Sequence, residues 1–420
     1  MDYDQTEPRA LSQREIEEVQ SVRFRALIRR LWENSPFYHR RLKEAGIDPD
    51  SVKEVKDLSK VPFTTKDDLR REGYPYGGNF LAVPFREVVG WHMTSGTTGI
   101  PTVGAYTMLD VKIWTDLVAR CLRTAGVTEE DVVANVYGYG LFTGGMGLHM
   151  GAQRLGAKVI PWGTGRTEAL VKTLKDFRAT VITGTPSYEL LIAEKIKREG
   201  TKLNLRLAIP GAESMTPETL KRIEQELNLS EGAREIYGLT EAMGPGVAQE
   251  CPEDQHRWMH VWTDHFMVEV VDPNSGEVLG EGEEGELVIT TLSREAMPLL
   301  RFRTRDITKL GEPDHIPYPR LSIMKGRVDD VIFYKGVKVY PTAVAKAIMS
   351  FPKLGEYQIV VTDNPQAIKV RVESEEKSQK LKEELEALLR EFTLINVPVE
   401  FVDMGSLPRY EGKARRVVRE

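Results

Sequence analysis

Three charged residues and one hydroxyl-rich run carry the chemistry this chain could perform. Lys413 stands beside Gly412 near the C-terminus, Glu241 closes Glu235-Ile236-Tyr237-Gly238-Leu239-Thr240-Glu241, and Asp306 ends Arg303-Thr304-Arg305-Asp306. The run is Met93-Thr94-Ser95-Gly96-Thr97-Thr98-Gly99-Ile100-Pro101-Thr102. Gly96 and Gly99 allow backbone conformations closed to residues with a Cβ. Converging amides and hydroxyls then make a nest for an anion such as a phosphate. The run is not of the Gly-x-x-x-x-Gly-Lys-Ser/Thr type, because Ile100 rather than lysine follows Gly99. A carboxylate at the end of a strand, as Glu241 would be, can hold Mg²⁺, a hard cation that takes oxygen ligands and nucleotide phosphates. Asp306 could accept hydrogen bonds from ribose hydroxyls, and Lys413 could be swung onto a phosphate. Each piece alone has a plainer reading: a polar turn, a surface acid, a loop salt bridge, a lysine in a tail.

The elements that must position these residues follow from periodicity. Apolar residues Val19, Val22, Phe24, Leu27, Ile28 and Leu31 predict a helix over 15–33. Val88-Val89-Gly90-Trp91 reads as a buried strand leading into the hydroxyl run, and 108–124 as a helix behind it. Thr64-Thr65 signals the cap of a short polar helix. Strands are expected at 132–136, 158–162, 180–183 and 206–210, with helices at 167–177 and 186–198 and another starting at Thr216-Pro217. That alternation predicts an α/β architecture with a parallel sheet. From Phe266 the pattern turns to hairpin-linked β structure at 267–271 and 286–291. A smaller α+β region follows Gly326, with strands at 331–334, 338–340, 357–361 and 368–372 and a helix at 378–392. The expected organisation is a large domain over 1–326 with a β subdomain, a hinge at 327–330 and a small mobile domain over 331–420.

Composition bounds the function. The 420 residues are 41% hydrophobic and 29% charged, the profile of a globular chain with a large core. A formal net charge of −6 gives no support to a nucleic-acid partner. No apolar run is long enough to cross a bilayer, and the acidic start lacks a signal-peptide layout, so a cytoplasmic location is expected. Two cysteines, Cys121 and Cys251, cannot build a disulfide framework. Gly138-Tyr139-Gly140 fails as a dinucleotide fingerprint, since Thr143 stands where the third glycine should fall. The stretch 137–147 suits a close-packed pocket wall or a tight turn with buried aromatics equally well.

In this order, residues 94–101, Gly211-Ala212-Glu213, 237–241, Arg305-Asp306, Gly326-Arg327-Val328-Asp329-Asp330 and Gly412-Lys413 resemble the acyl-adenylate-forming enzymes. Pro62-Phe63-Thr64-Thr65-Lys66, 139–145 and Met243-Gly244-Pro245-Gly246-Val247 are specifically similar to the phenylacetate–CoA ligase branch. The resemblance runs from about residue 31 to 418. It implies that an aromatic, phenylacetate-like carboxylic acid is joined to AMP from ATP, then passed to CoA. By resemblance, Lys413 meets the acid and the α-phosphate, residues 94–99 embrace the outer phosphates, and Glu241 holds Mg²⁺. Asp306 and Arg327 would touch the ribose. Gly211, Ala212, Glu213, Glu235, Ile236, Tyr237, Gly238 and Thr240 would complete the nucleotide site. Asp329 is the expected hinge, and Lys335-Gly336-Val337 would be carried towards the CoA tunnel. Tyr137, Phe142, Met243, Gly244 and Pro245 would wall the acid pocket, and a homodimer is implied.

Two departures stand out. Ile100 replaces a lysine that many relatives carry. Some relatives also hold zinc with a Cys, a His and a Cys-x-Cys pair before the hinge. This chain has Cys251, His256 and His260 but no later cysteine, only Asp314-His315-Ile316-Pro317-Tyr318-Pro319, so zinc is not expected. Two other functions stay open: adenylation with a different acceptor (a carrier-protein thiol or a deazaflavin), and a non-catalytic nucleotide-binding regulator.

Overall fold

The computed structural model describes residues 3–52, 55–94, 99–363 and 366–420. It divides into two compact units, Met1–Gly163 with Arg234–Ser322, and Thr164–Ala233 with Ile323–Glu420.

The first unit begins with the helix Gln13–Asn34, capped reciprocally by Ser12 and Glu15. Phe24, Leu27, Ile28 and Leu31, spaced to share one face, enter a core with Phe37, Tyr38, Phe80, Met297 and Leu300. Val22 is exposed, contrary to the expected stripe, because a residue two positions from Phe24 cannot share its face. The strand in the 88–91 stretch is Gly90–Met93 and is not buried: Val89 and Trp91 face solvent. It belongs to a two-stranded antiparallel ribbon with Val103–Tyr106, and only that partner strand is fully covered.

Behind the ribbon lie the helices Met108–Thr124 and Thr143–Arg154. Their close approach needs glycine: a Cβ on Gly151 would lie 2.5 Å from Val118, and one on Gly147 2.6 Å from the Trp114 ring. Strands Val132–Asn135 and Lys158–Pro161 pair in parallel. Seven further strands form one sheet in the order Phe266–Val271, Glu284–Thr291, Phe302–Gly311, Arg320–Ser322, Trp258–Val261, Gly244–Gln249, Ile236–Leu239.

The second unit holds the parallel strands Val181–Gly184, Leu207–Pro210 and Gly232–Ala233. The helices Pro186–Glu199 and Pro217–Leu227 each start with a threonine cap followed by proline, where a missing N–H costs nothing. Its later part is a four-stranded sheet in the order Val399–Val402, Gln366–Glu373, Tyr357–Asp363, Val417–Arg419. The helices Pro341–Met349 and Gln379–Thr393 bury Val344, Ile348, Leu385 and Leu389 against Ile359 and Val370. The strands at 399–402 and 417–419 are too short to be seen by alternation alone. The chain is therefore a mixed α/β protein with parallel sheet, an antiparallel β portion and a C-terminal α+β portion, as the strand–helix alternation predicts.

Candidate active site

In the first unit the ribbon Gly90–Met93/Val103–Tyr106 delivers both ends of the hydroxyl run. Thr94 and Thr102 clamp it. The Thr94 amide donates to the Thr102 carbonyl at 3.1 Å, and the Thr102 amide donates to Thr94 Oγ1 at 3.1 Å. Ser95, Gly96, Thr97 and Thr98 lie outside the described residues. Gly99 has φ +128°, the left-handed region expected of it, and Ile100 beside it is exposed.

Glu241 sits in a single turn, Thr240–Ala242, at the end of strand Ile236–Leu239, and is buried. Its Oε1 accepts from the Thr102 hydroxyl at 2.8 Å and lies 3.1 Å from Lys66 Nζ. Lys66 is held there by a chain of local causes. Thr65 and Asp68 form a capping box, and Thr64 bridges the strand Phe302–Gly311 by exchanging backbone bonds with Arg301 and Arg303. Arg294 donates to the Glu241 carbonyl and covers the Tyr106 ring. In the sequence Lys66 stands out only as part of a motif, Thr102 only as the end of the hydroxyl run, and Arg294 not at all. Long-range pairs of this kind leave no mark in local spacing. A buried carboxylate beside a hydroxyl offers oxygen donors of the kind a hard cation takes, so the residues fit Mg²⁺.

Along the same strand, the Tyr237 hydroxyl donates to Asp306 Oδ2 at 2.7 Å, which orients that carboxylate on strand Phe302–Gly311. Gly238 packs so tightly that a Cβ would lie 2.0 Å from the Gly244 carbonyl oxygen. Glu235 is different: its side chain is buried, and burial together with the neighbouring Glu250 pushes its carboxyl well above the usual range. Its backbone carbonyl accepts from the Gln249 side chain at 2.9 Å. Ile236 is buried beside it.

Around the expected acid-pocket residues, several close contacts lie within this unit. Gly244 faces Thr143 so closely that a Cβ would come within 2.5 Å, and Thr143 follows the exposed Phe142. A Cβ on Gly144 would lie 3.2 Å from the Tyr137 ring. Trp114 Nε1 donates to the Pro245 carbonyl at 2.9 Å. Met243 is buried with φ +84°, a conformation costly for a side-chain-bearing residue and held by its surroundings. The stretch 137–147 is thus a turn running into a helix, with glycines on the packed side. His92, which sequence spacing did not single out, lies against it with Nδ1 3.2 Å from the Leu141 carbonyl.

In the second unit the structure anchors Lys413. Gly211, Ala212 and Glu213 follow the strand Leu207–Pro210, and Ala212 takes φ +67°. Glu213 Oε2 accepts from the Ser187 hydroxyl at 2.5 Å, while Oε1 accepts the Ala414 amide at 2.7 Å. Thr185 Oγ1 donates to the Gly412 carbonyl at 3.1 Å, and Thr167 Oγ1 to Glu411 at 3.2 Å. The backbone is therefore tied on both sides of Lys413, whose side chain stays exposed. Burial pushes the Glu213 carboxyl up, while Arg416, Ser187, the Ala414 amide and Lys413 oppose that push. Farther along, Arg327 lies 3.7 Å from Asp329, which sits in the turn Val328–Asp330. Lys335 and Gly336 form the two-residue tip of the hairpin Ile332–Tyr334/Val337–Val339, both with positive φ, the geometry such a tip requires.

Residues 40–293 match the family model described as AMP-binding enzyme, and residues 336–420 match the AMP-binding enzyme C-terminal domain. The phenylacetate–coenzyme A ligase of Pseudomonas putida is 43% identical over 97% of this chain and 94% of its own. That of Thermus thermophilus is 40% identical over 99% and 98%. Among solved structures, a 2-hydroxyisobutyryl-CoA ligase in the postadenylation state, in complex with R3-HIB-AMP, superposes with a TM-score of 0.91. It is 26% identical and covers 98% of this chain and 91% of its own. A nearly full-length match at such identity places the chain in a family. It belongs to the AMP-binding enzymes, on their phenylacetate–CoA ligase branch.

Proposed function

We propose that this protein is an AMP-forming acid–thiol ligase that activates an aromatic, phenylacetate-like carboxylic acid with ATP and transfers the acyl group to CoA. The observation that carries the reading is the tethered lysine. Lys413 is exposed while its neighbours Gly412 and Ala414 are fastened to Thr185 and Glu213.

In the first half-reaction a carboxylate oxygen bonds to the α-phosphorus as the bond to pyrophosphate breaks, and charge grows on both phosphates. Preorganised positive charge and N–H donors are what such a transition state needs. Lys413 supplies a compact charge on a flexible stem. The run 94–99 cradles the outer phosphates, and Glu241 with Thr102 is the oxygen-donor site for Mg²⁺, which would neutralise phosphate charge. Asp306, held by Tyr237, takes the ribose hydroxyls, and Arg327 serves the same sugar. Residues 211–213 and 235–238, with Thr240, serve the base and its surroundings. Tyr137, Phe142, Met243, Gly244 and Pro245 wall the acid. In the second half-reaction the CoA sulfur bonds to the acyl carbon, AMP leaves, and the thiol proton passes to solvent. Asp329 is the hinge about which the small domain withdraws Lys413 and presents Lys335, Gly336 and Val337 to CoA. We further propose a cytoplasmic homodimer; no helix among the described residues is long and apolar enough to cross a membrane.

The test is mass-spectrometric detection of acyl-CoA and AMP with ATP, Mg²⁺ and CoA over phenylacetate, benzoates, indoleacetate and short aliphatic acids. Equal amounts of acyl-CoA and AMP with an aryl acid, lost on chelating Mg²⁺, are expected. An acyl-adenylate that never yields acyl-CoA would replace CoA by another acceptor, and no AMP with any acid would overturn the reading.

A further inference from the structure

Behind the side chains given to the reaction, the first unit buries a cation without a counter-charge. Arg294 is 2% exposed, and no carboxylate lies within ion-pair distance of it among the described residues. Its Nη1 donates to the Glu241 carbonyl and its Nη2 to the Ala105 carbonyl at 3.2 Å. The guanidinium stands 5.0 Å from the centre of the Tyr106 ring, and Nε is buried with no hydrogen-bond partner among the described residues. Arg120 shows the usual arrangement: equally buried, it grips both oxygens of Asp264. Taking a guanidinium out of water is costly, and a carboxylate normally offsets the cost. At Arg294 two carbonyl dipoles and a ring face offset only part of it.

The surroundings of Arg294 leave it no slack. The amides of Glu295 and Ala296 donate to the two oxygens of Asp110 at 2.6 and 2.9 Å, and Asp110 belongs to the capping box of helix Met108–Thr124. A Cβ on Gly104 would lie 2.8 Å from Arg294 Nη2 and 3.1 Å from the Thr240 carbonyl oxygen. The side chain therefore joins the strand Val103–Tyr106 to the turn Thr240–Ala242. These are the elements that bring Thr102, just before the strand, to the Glu241 carboxylate at 2.8 Å. With no carboxylate to take its fork, both Nη groups go to main-chain carbonyls. A planar fork holds two such oxygens at a fixed spacing, which a single ammonium does not.

We propose that Arg294 is a positioning residue for the Mg²⁺ end of the nucleotide site. It holds the Glu241 turn against the ribbon, so that the Glu241 carboxylate and the Thr102 hydroxyl keep the spacing a hard cation takes. The role rests on the reading of Glu241 as the Mg²⁺ ligand, and Arg294 acts through Glu241 rather than by touching the acid. The fold bears a buried charge without a counter-ion here because the placement of one carbonyl decides the placement of the carboxylate on the same residue.

The test is calorimetric titration of the full chain with the α,β-methylene analogue of ATP, which resists cleavage at that bond, with and without Mg²⁺. Arg294→Met should weaken binding of the Mg²⁺ complex about 10- to 150-fold, the span of one hydrogen bond to a charged group, and leave the metal-free analogue within about twofold. Arg294→Lys, which keeps the charge but not the fork, should fall between. Gly104→Ala, which pushes on the same contact, should reproduce the Mg²⁺-dependent loss and carries the test if Arg294→Met does not fold. In a Glu241→Gln background the Arg294→Met loss should vanish, because the two residues act through one contact. Equal losses with and without Mg²⁺, or a loss undiminished in the Glu241→Gln chain, would show general damage and overturn the assignment. Unchanged Mg²⁺-complex binding by Arg294→Met would refute it alone, whereas a wild-type chain that binds neither form would take the ligase reading down with it.

Discussion

Glu213→Ala separates the positioning of Lys413 from its chemistry. The Glu213 carboxylate is the acceptor that holds the Ala414 amide at 2.7 Å, and it is itself fixed by Ser187 at 2.5 Å. A hydrogen bond to a charged group contributes about 1.5–3 kcal/mol net. If that bond orders the lysine loop for adenylation, its loss at 1.36 kcal/mol per tenfold lowers the adenylation rate roughly 10- to 150-fold. The upward push of burial on the Glu213 carboxyl favours the lower end of that range. Glu213→Gln keeps an acceptor oxygen and should recover part of the loss. The second half-reaction, in which Lys413 is withdrawn, should fall less, only as far as residue 213 also helps to hold the adenylate. Pyrophosphate–ATP exchange reads the first step, and transfer from preformed acyl-adenylate to CoA reads the second. Exchange within about twofold of wild type would refute the positioning argument, because the expected minimum is tenfold. An equal fall in both half-reactions would show general damage instead.

Two predictions concern stability. Glu189 is fully buried, and burial together with the nearby Glu213 charge pushes its carboxyl well above the ordinary value of 4.5. The folded state therefore keeps a proton that the unfolded chain releases. The stability this contributes is complete below the ordinary glutamate value and is lost as pH rises through the folded one. Glu189→Gln should flatten that decline in denaturant midpoints measured across pH, and an unchanged slope would count against it. Arg120 is fully buried, pairing with Asp264 at 2.9 and 3.1 Å beside the Trp262 and Tyr318 rings. Arg120→Met strands the Asp264 charge and should cost about 3–5 kcal/mol in chemical denaturation, against under 1 for an exposed pair such as Arg14–Glu18.

The part of the protein that local rules govern is legible in its residues alone. Threonine caps followed by proline set the starts of the helices at 186 and 217, and the capping box at Thr65 sets the turn that carries Lys66. Strand–helix alternation made the parallel α/β portion legible, and the order of short motifs made the family legible, because both are properties of contiguous residues. Burial is less legible. Val22, Val89 and Trp91 look like core by composition, yet they face water, since which side of an element is covered depends on what packs there. Packing of the whole chain sets the pairs that span long stretches of it: Lys66 with Glu241, Tyr237 with Asp306, Glu213 with the Ala414 amide, Cys251 with His315. Sequence spacing carries direction only across a turn or a pleat. A distance of a few ångströms between residues 64, 69, 175 or 201 positions apart comes from sheet register and core packing, which no local pattern encodes.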